Sequence, residues 1–205
     1  EVIESIPKGF AEVEVIVVDT NSKDHTREIA KSKGARVIDE PRRGYGRAYK
    51  TGFENATGEV LVTIDGDTTY PAESIPELVD LLENEKLDFI TCDRLSTMRE
   101  GMMSFQHRLG NKLLTTGANL LYGIDIKDSQ SGMWVFRRSI LPSLKLTASG
   151  MQFSEEIKIE AYTRGFRVRE IPIDYRARKG EVKLNTWKDG SRNLFFLILK
   201  KLSSL

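Results

Sequence analysis

Apolar and polar positions along the chain follow two periods. Residues 12–19 (EVEVIVVD) alternate and then become continuously apolar, the pattern of a buried strand. The turn TNSKDHT follows, where Asp24 can cap a helix that runs through Lys33 and stops at Gly34. Residues 35–39 (ARVID) predict a second strand, and a glycine-rich entry, RRGYGRAYKTG, opens a helix closing at Gly58. Residues 59–65 (EVLVTID) predict a third strand, PAESIPELVDLLENEK a helix, and residues 87–92 (LDFITC) a fourth strand. Residues 1–9 (EVIESIPKG) read as the tail of a helix with a stop at Gly9.

The second half is less regular. Residues 104–123 predict a helix with Phe105, Leu109, Leu113, Leu120 and Leu121 along one side and His107, Arg108 and Lys112 flanking it. Such a stripe more often packs against a core, but basic residues along its border also fit a helix lying at a membrane interface, and contact of that kind by this helix, the terminal one or both is the expectation. Then come IDIKDSQSGMWVFRR, a helix around FSEEIKIEAYTRG, a strand-like FRVREIPIDYRAR and a terminal WKDGSRNLFFLILKKLSSL. Trp134 and Phe136 read as core positions on a short strand. Strands alternating with helices at this spacing predict one α/β domain with a mostly parallel, Rossmann-like sheet flanked by helices. In such sheets ligands gather at the carboxyl ends of the strands, where Asp19 and the pair Asp65 and Asp67 fall.

Composition narrows the class. Of 205 residues, 40% are hydrophobic and 30% charged, ordinary for a globular domain. The single Cys92 excludes an internal disulfide framework and a cysteine-rich zinc site. No apolar run reaches the roughly 18 residues of a membrane-spanning helix. The net charge of +1 hides an asymmetry: residues 164–201 hold eleven Lys or Arg against four Asp or Glu. A second basic cluster, Arg42, Arg43, Arg47 and Lys50, surrounds Gly44 and Gly46, and both patches suit an anionic partner.

The stretch VTIDGDTTYP carries the sharpest chemical signal, with two carboxylates one residue apart at a strand end. They could form a solvated turn, or hold a hard divalent cation beside substrate phosphates. Asp65, Asp67 and Thr69 also match the Asp-x-Asp-x-Thr of haloacid-dehalogenase-type phosphotransferases. That family places the motif on its first strand and needs a later acidic pair; here it closes the third, and no such pair follows. Other readings fail on context. RRGYGRAYKTG has Tyr49 where a dinucleotide loop needs its last glycine, and SQSGM lacks the strand–elbow pattern of a serine hydrolase. His25 and His107 are isolated.

The ordered series VVDTNSKDHT, RRGYGRAYKTGF and IDGDTTYP resembles the family 2 glycosyltransferases of GT-A fold. DSQSGMWVFRR looks like their acceptor-side segment, and FSEEIKIEAYTRGFRVREIPIDY like their F-x-x-E helix and following strand. RARKGEVKL is similar to a G-x-S-K-L element of one subgroup, the polyprenyl-phosphate sugar synthases, exemplified by dolichyl-phosphate mannose or glucose synthase. Each motif alone is weak; five in order, spanning nearly the whole chain, are specific.

The resemblance implies an inverting, Mg²⁺- or Mn²⁺-dependent transfer of a hexose from a UDP- or GDP-sugar to a polyprenyl (dolichyl) phosphate, at the cytoplasmic face of a membrane and without nucleic acid. It makes Asp67 the first metal ligand, with Asp65 at the metal or the ribose. Asp19 would contact the nucleotide, and Arg43 and Lys50 would approach the base or phosphates. Arg178 and Lys183 would grip the leaving diphosphate or the acceptor phosphate. Asp128 and Glu156 would position donor hydroxyls or basic residues, and Arg94 and Lys112 would hold the acceptor phosphate. Residues 187–205 would form an interfacial or juxtamembrane helix. Three departures stand out. Thr69 replaces a common Gln, Val182 replaces the expected Ser, and the family's central first strand is not found among residues 1–205, which points to a segment upstream of Glu1. The alternatives are a family 2 transferase with a glycan acceptor, or a non-catalytic nucleotide-sugar-binding or membrane-docking domain.

Overall fold

The computed structural model describes residues 1–98, 102–177 and 186–203. The elements follow the predicted order: α1 (Val2–Ser5), β1 (Ile16–Asp19), α2 (Thr26–Ser32), β2 (Arg36–Asp39), α3 (Tyr45–Asn55) and β3 (Val60–Thr63). A 3-10 turn at Ala72–Ser74 leads into α4 (Ile75–Asn84), followed by β4 (Phe89–Asp93), α5 (Phe105–Tyr122), β5 (Trp134–Arg137), α6 (Phe153–Thr163), β6 (Val168–Pro172) and α7 (Thr186–Leu202).

β4 and β6 pair in parallel, and β5 lies reversed between β3 and β4, giving the order β3-β5-β4-β6. β3, β4 and β6 therefore run the same way, and only β5 departs from the parallel arrangement. β1 and β2 form a separate parallel pair. Two contacts tie β1 to β3 at their amino-terminal ends: Glu14 accepts hydrogen bonds from the backbone N–H and hydroxyl of Thr57.

Alternation along the strands builds two cores. Ile90, Cys92, Met133 and Val135 face Leu78 and Leu82 of α4. Phe89, Trp134 and Phe136 face the opposite side, packed with Phe153 and Ile157 of α6 and with Tyr49 and Phe53 of α3. Burying an aromatic or aliphatic side chain of this size stabilises by roughly 1.5–3 kcal/mol. These rings therefore fix α3 and α6 on one face of the sheet.

A third, smaller core joins α5, α6 and α7 through Leu114, Ala118, Ile159 and Leu197. Ser104 caps α5 by accepting the His107 N–H at 3.3 Å, and Gly123 ends it in the left-handed conformation. The side of α5 that packs is not the apolar stripe beginning at Phe105, apart from Leu121 at its end, which is partly buried against this core. Leu114, Thr115 and Ala118 face inward, whereas Phe105, Leu109, Leu113 and Leu120 are exposed. Two apolar stripes share this helix, and the inward one, interrupted by Thr115, is the less conspicuous in sequence.

Candidate active site

α3 reaches both acidic strand ends. From β1–β2, the Glu40 N–H donates to the Asp19 carbonyl, and Glu40 in turn accepts from Thr51 of α3 at 2.8 Å. Beyond β3, Asp65 Oδ1 accepts from the Tyr49 hydroxyl at 3.2 Å. Two residues on, Asp67 Oδ1 accepts from the Thr69 hydroxyl at 2.6 Å and from the Thr69 N–H. Thr69 is fully buried, which makes it the anchor of this turn. Thr68, between them, is held at φ 65°. A β-branched residue in the left-handed region is strained by about 1–3 kcal/mol, and such strain gathers at functional turns.

Gly132 forms the floor beside Asp65. A Cβ there would lie 2.4 Å from the Tyr45 hydroxyl and 3.5 Å from Asp65 Oδ1. Its N–H donates to the Tyr70 hydroxyl at 2.7 Å, and Tyr70 packs edge-on against Tyr175. Burial is the largest influence on Tyr45 and Tyr49 and pushes both phenols well above their ordinary range, so they remain protonated donors. The guanidinium of Arg94 lies 5.4 Å from the centre of the Tyr175 ring.

Arg94 and Asp128 form a buried two-point pair, at 2.7 and 2.9 Å, and Asp128 also accepts the Arg94 N–H. Burial opposes the charged form of Asp128, but the attraction and hydrogen bonds of Arg94 hold its carboxyl below the usual range. Lys158, fully buried, donates to the Asp128 carbonyl at 2.8 Å, and burial lowers its ammonium to about 8. Glu155 accepts from Gln130 at 2.9 Å, and burial pushes its carboxyl up to about 8.

The other expected site residues are distributed as follows. Asp19 is buried and paired with Arg27; burial opposes its charge, while hydrogen bonds from Ser22 and Arg27 keep it low. Arg43 is exposed beside Gly44. Lys50 donates to the Thr147 carbonyl at 3.4 Å. Glu156 is fully buried and accepts from Thr147 N–H and hydroxyl, Ala148 N–H and Lys200. Arg94 is buried, whereas Lys112 is exposed on α5. Arg178 and Lys183 lie outside the described residues.

The glycines of RRGYGRAYKTG act by allowing close approach. A Cβ on Gly44 would meet the Ser149 carbonyl oxygen at 2.3 Å, and one on Gly46 the Phe153 Cβ at 2.5 Å. The Gly46 and Arg47 N–H groups are taken by the Gly150 and Ser149 carbonyls. Sequence reasoning passed over Tyr45, Tyr49, Tyr70 and Tyr175. The spacing of Tyr45, Tyr49 and Phe53, one aromatic every four residues, was the available signal for an inward face of α3.

Among the described residues, no group of three or more His, Cys, Asp or Glu is arranged to hold a metal ion. A pair of carboxylates fits a cation that takes most of its oxygens from substrate phosphate and water, as Mg²⁺ and Mn²⁺ do. The surface cavity lined by Phe53, Glu59 and Arg137 lies at the opposite, amino-terminal end of β3.

An α/β sheet with an acidic pair at a strand end fits several classes of phosphate-handling protein, and comparison gives the family. The family model for glycosyl transferase family 2 matches residues 1–144, and the chain belongs to that family. It is 37% identical over 189 residues to a dolichyl-phosphate hexose transferase of Haloferax volcanii, covering 92% of this chain and 80% of that one. It is 35% identical over 188 residues to the low-salt glycan biosynthesis hexosyltransferase Agl6 of the same organism, covering 91% of this chain but only 45% of that relative. Glucosyl-3-phosphoglycerate synthase of Mycobacterium tuberculosis, crystallised with Mn²⁺ and UDP-glucose, is 26% identical. Its TM-score is 0.77, over 98% of this chain and 72% of that one, which identifies the fold as GT-A.

Proposed function

We propose that this domain transfers a hexose from a UDP-sugar to a polyprenyl phosphate, with a divalent cation at Asp67 and Asp65. The observation that carries this reading is the acidic turn after β3, braced by Thr69 and Tyr49 beside the Arg94–Asp128 pair. The relative named as a dolichyl-phosphate hexose transferase supports the acceptor. The UDP-glucose and Mn²⁺ of the mycobacterial synthase structure support the donor class and the cation.

The chemistry is an in-line displacement at the anomeric carbon. The acceptor phosphate oxygen forms the new bond as the bond to the leaving diphosphate oxygen breaks, inverting the centre. A phosphate monoester is ionised near neutral pH, so it needs orientation more than a base. The cation would stabilise the charge developing on the diphosphate. Asp67 and Asp65 would hold that cation, and Asp19, Arg43 and Lys50 would serve the nucleotide. Arg94, with its ring partner Tyr175, Lys112, Arg178 and Lys183 would meet phosphate groups. Asp128 would act by fixing Arg94, and Glu156 by fixing residues 147–148.

The same reading gives the exposed apolar side chains of α5 and α7 a role, since a polyprenyl acceptor sits in a bilayer. Arg108, Lys112 and Lys201 border this surface and complement anionic headgroups.

The test is transfer of radiolabelled hexose from UDP- and GDP-sugars to dolichyl phosphate, with and without Mn²⁺ or Mg²⁺, beside Asp67→Ala. Metal-dependent label in the lipid phase, lost in the variant, is expected from a UDP-sugar. Donor binding without lipid label overturns the acceptor assignment.

A further inference from the structure

The inner face of α7 carries two polar side chains that point to a task beyond packing. Asn193 is 3% exposed, and its Nδ2 donates to Gln130 Oε1 at 3.1 Å. Gln130 donates to Glu155 and Ser129, and stands two residues before Gly132, the floor beside Asp65. One helical stretch further on, Lys200 Nζ reaches Glu160 at 2.7 Å, Glu156 at 3.1 Å and the Lys145 carbonyl at 3.2 Å. The Lys200 side chain is 9% exposed, and both carboxylates are buried.

From Lys200 the contacts continue without a break. Glu156 holds the Thr147 and Ala148 N–H groups at 3.0 and 2.9 Å. The next carbonyls, Ser149 and Gly150, accept from Arg47 and Gly46 in the first turn of α3. α3 then presents Tyr49 to Asp65 and Tyr45 to Gly132. Two arms from one helix thus lead toward Asp65, one through Asn193 and Gln130 to the segment before Gly132, the other through Lys200 and Glu156 to α3 and Tyr49. A hydrophobic helix fastened only for packing needs neither arm, since burying a lysine and an asparagine costs free energy that Leu or Met at those positions would avoid.

We infer that Lys200 and Asn193 are positioning residues, through which α7 sets the geometry of the donor site around Asp65. The inference rests on the proposed transferase function for its kinetic reading, but donor binding alone also tests it. Removing the Lys200 arm lets residues 145–150 and the start of α3 relax, which moves Tyr49 and the carboxylate it contacts, and removing the Asn193 arm releases Gln130 and the segment leading to Gly132. Small displacements at a charge-ordering site change binding and turnover disproportionately.

The experiment compares Lys200→Met, Lys200→Arg and Asn193→Leu with the unmodified chain, measuring UDP affinity by calorimetry in Mn²⁺ and the kinetic constants for hexose transfer. Arg137→Met, which breaks an ion pair with Glu83 remote from Asp65, controls for lost stability. Lys200→Met is expected to weaken UDP binding and raise the donor KM about tenfold, with kcat changed less. Lys200→Arg restores most of the loss, Arg137→Met leaves UDP affinity unchanged, and thermal melting gives each variant's stability. Asn193→Leu leaves no buried carboxylate unpaired, so it carries the test if Lys200→Met does not fold. UDP affinity within twofold of the unmodified chain in a folded Lys200→Met or Asn193→Leu variant overturns the inference. So does an equal loss in Arg137→Met. If the unmodified chain binds UDP but labels no polyprenyl phosphate, the acceptor reading fails while the affinity comparison still decides this one.

Discussion

The Tyr49 hydroxyl donates to Asp65 Oδ1 at 3.2 Å, while its ring stacks at 8° on Phe153. One side chain therefore links the acidic turn to the aromatic core that fixes α3 against α6. Tyr49→Phe keeps the stacking and deletes the hydrogen bond. It should cost about 0.5–1.5 kcal/mol of stability and, by removing one of the contacts that orient the carboxylate, raise the donor KM several-fold. Urea unfolding and steady-state kinetics on the same preparation check both parts. An unchanged KM would remove Tyr49 from the site.

Asp128 satisfies Arg94 at two guanidinium nitrogens and at its backbone N–H. Both charges are buried, so removing one leaves the other without compensation. Asp128→Asn should destabilise the fold by about 3–5 kcal/mol. An exposed pair such as Arg167–Asp88 should lose at most about 1 kcal/mol on the equivalent change. Denaturant midpoints of the two variants measure the difference directly.

Glu155 gives the fold a pH signature. Burial, partly offset by Gln130, raises its carboxyl to about 8 in the folded chain from an ordinary value near 4.5. The folded state then binds the extra proton between those values. Its contribution to stability is complete below about 4.5 and is lost as pH rises through about 8. Glu155→Gln, which remains neutral, should flatten the stability profile over that window and stabilise the fold at pH 8 on the order of 1–3 kcal/mol. Lys158 acts in the next window: its ammonium is lowered to about 8, so its penalty lifts as pH climbs from there toward 10.5. Thermal melts from pH 4 to 10 separate the two.

Much of this was legible in sequence because the strands are apolar and the turns carry their own signals. Ser104 and Gly123 bracket α5, and VTID ending in Asp65 marks the one strand end with paired acids. The motif order alone carries the likeness to the family. What pattern could not give was which of two apolar stripes on α5 turns inward, because that depends on α7, whose Leu197 meets Tyr122 across 75 residues of chain. Nor could it separate Glu155 from Glu156. The adjacent carboxylates point in different directions on α6, one toward Gln130 and one toward residues 147–148. The tyrosine cluster escaped for a similar reason. Tyr45 and Tyr49 share a face of α3 at helical spacing, but Tyr70 joins them only through Gly132, a long-range contact that local periodicity does not show.

The turn that holds the acids is itself testable. Thr68 sits at φ 65°, a conformation that Asn adopts readily and a β-branched residue does not. Thr68→Asn should therefore stabilise the chain by about 1 kcal/mol, a rise in Tm of roughly 2–4 °C at this size. Asp67 keeps its Thr69 partners in this variant, so donor affinity should hold within about twofold. A stabilised variant with much weaker donor binding would mean that the Thr68 side chain serves the site directly.

The outer surface of α5 and α7 bears on where the protein works. Phe105, Leu113 and Leu120 of α5 are 79%, 63% and 81% exposed, and Phe195 and Leu202 of α7 are each 62% exposed. Among the described residues, no helix is long and apolar enough to cross a membrane. A surface of this kind, bordered by Arg108, Lys112 and Lys201, can lie in the headgroup region with its rings below it. Burying a single Phe or Leu there contributes about 1.5–3 kcal/mol, which is roughly ten- to a hundredfold in partition. Phe195→Asp and Leu120→Asp should each lower co-sedimentation with anionic vesicles by at least about tenfold while leaving UDP affinity intact. Raising the salt concentration should weaken binding further if the basic border contributes. Equal pelleting of both variants and the unmodified chain would instead leave this apolar face to another protein surface, and size-exclusion chromatography of the same variants would register its loss as a change in oligomeric state.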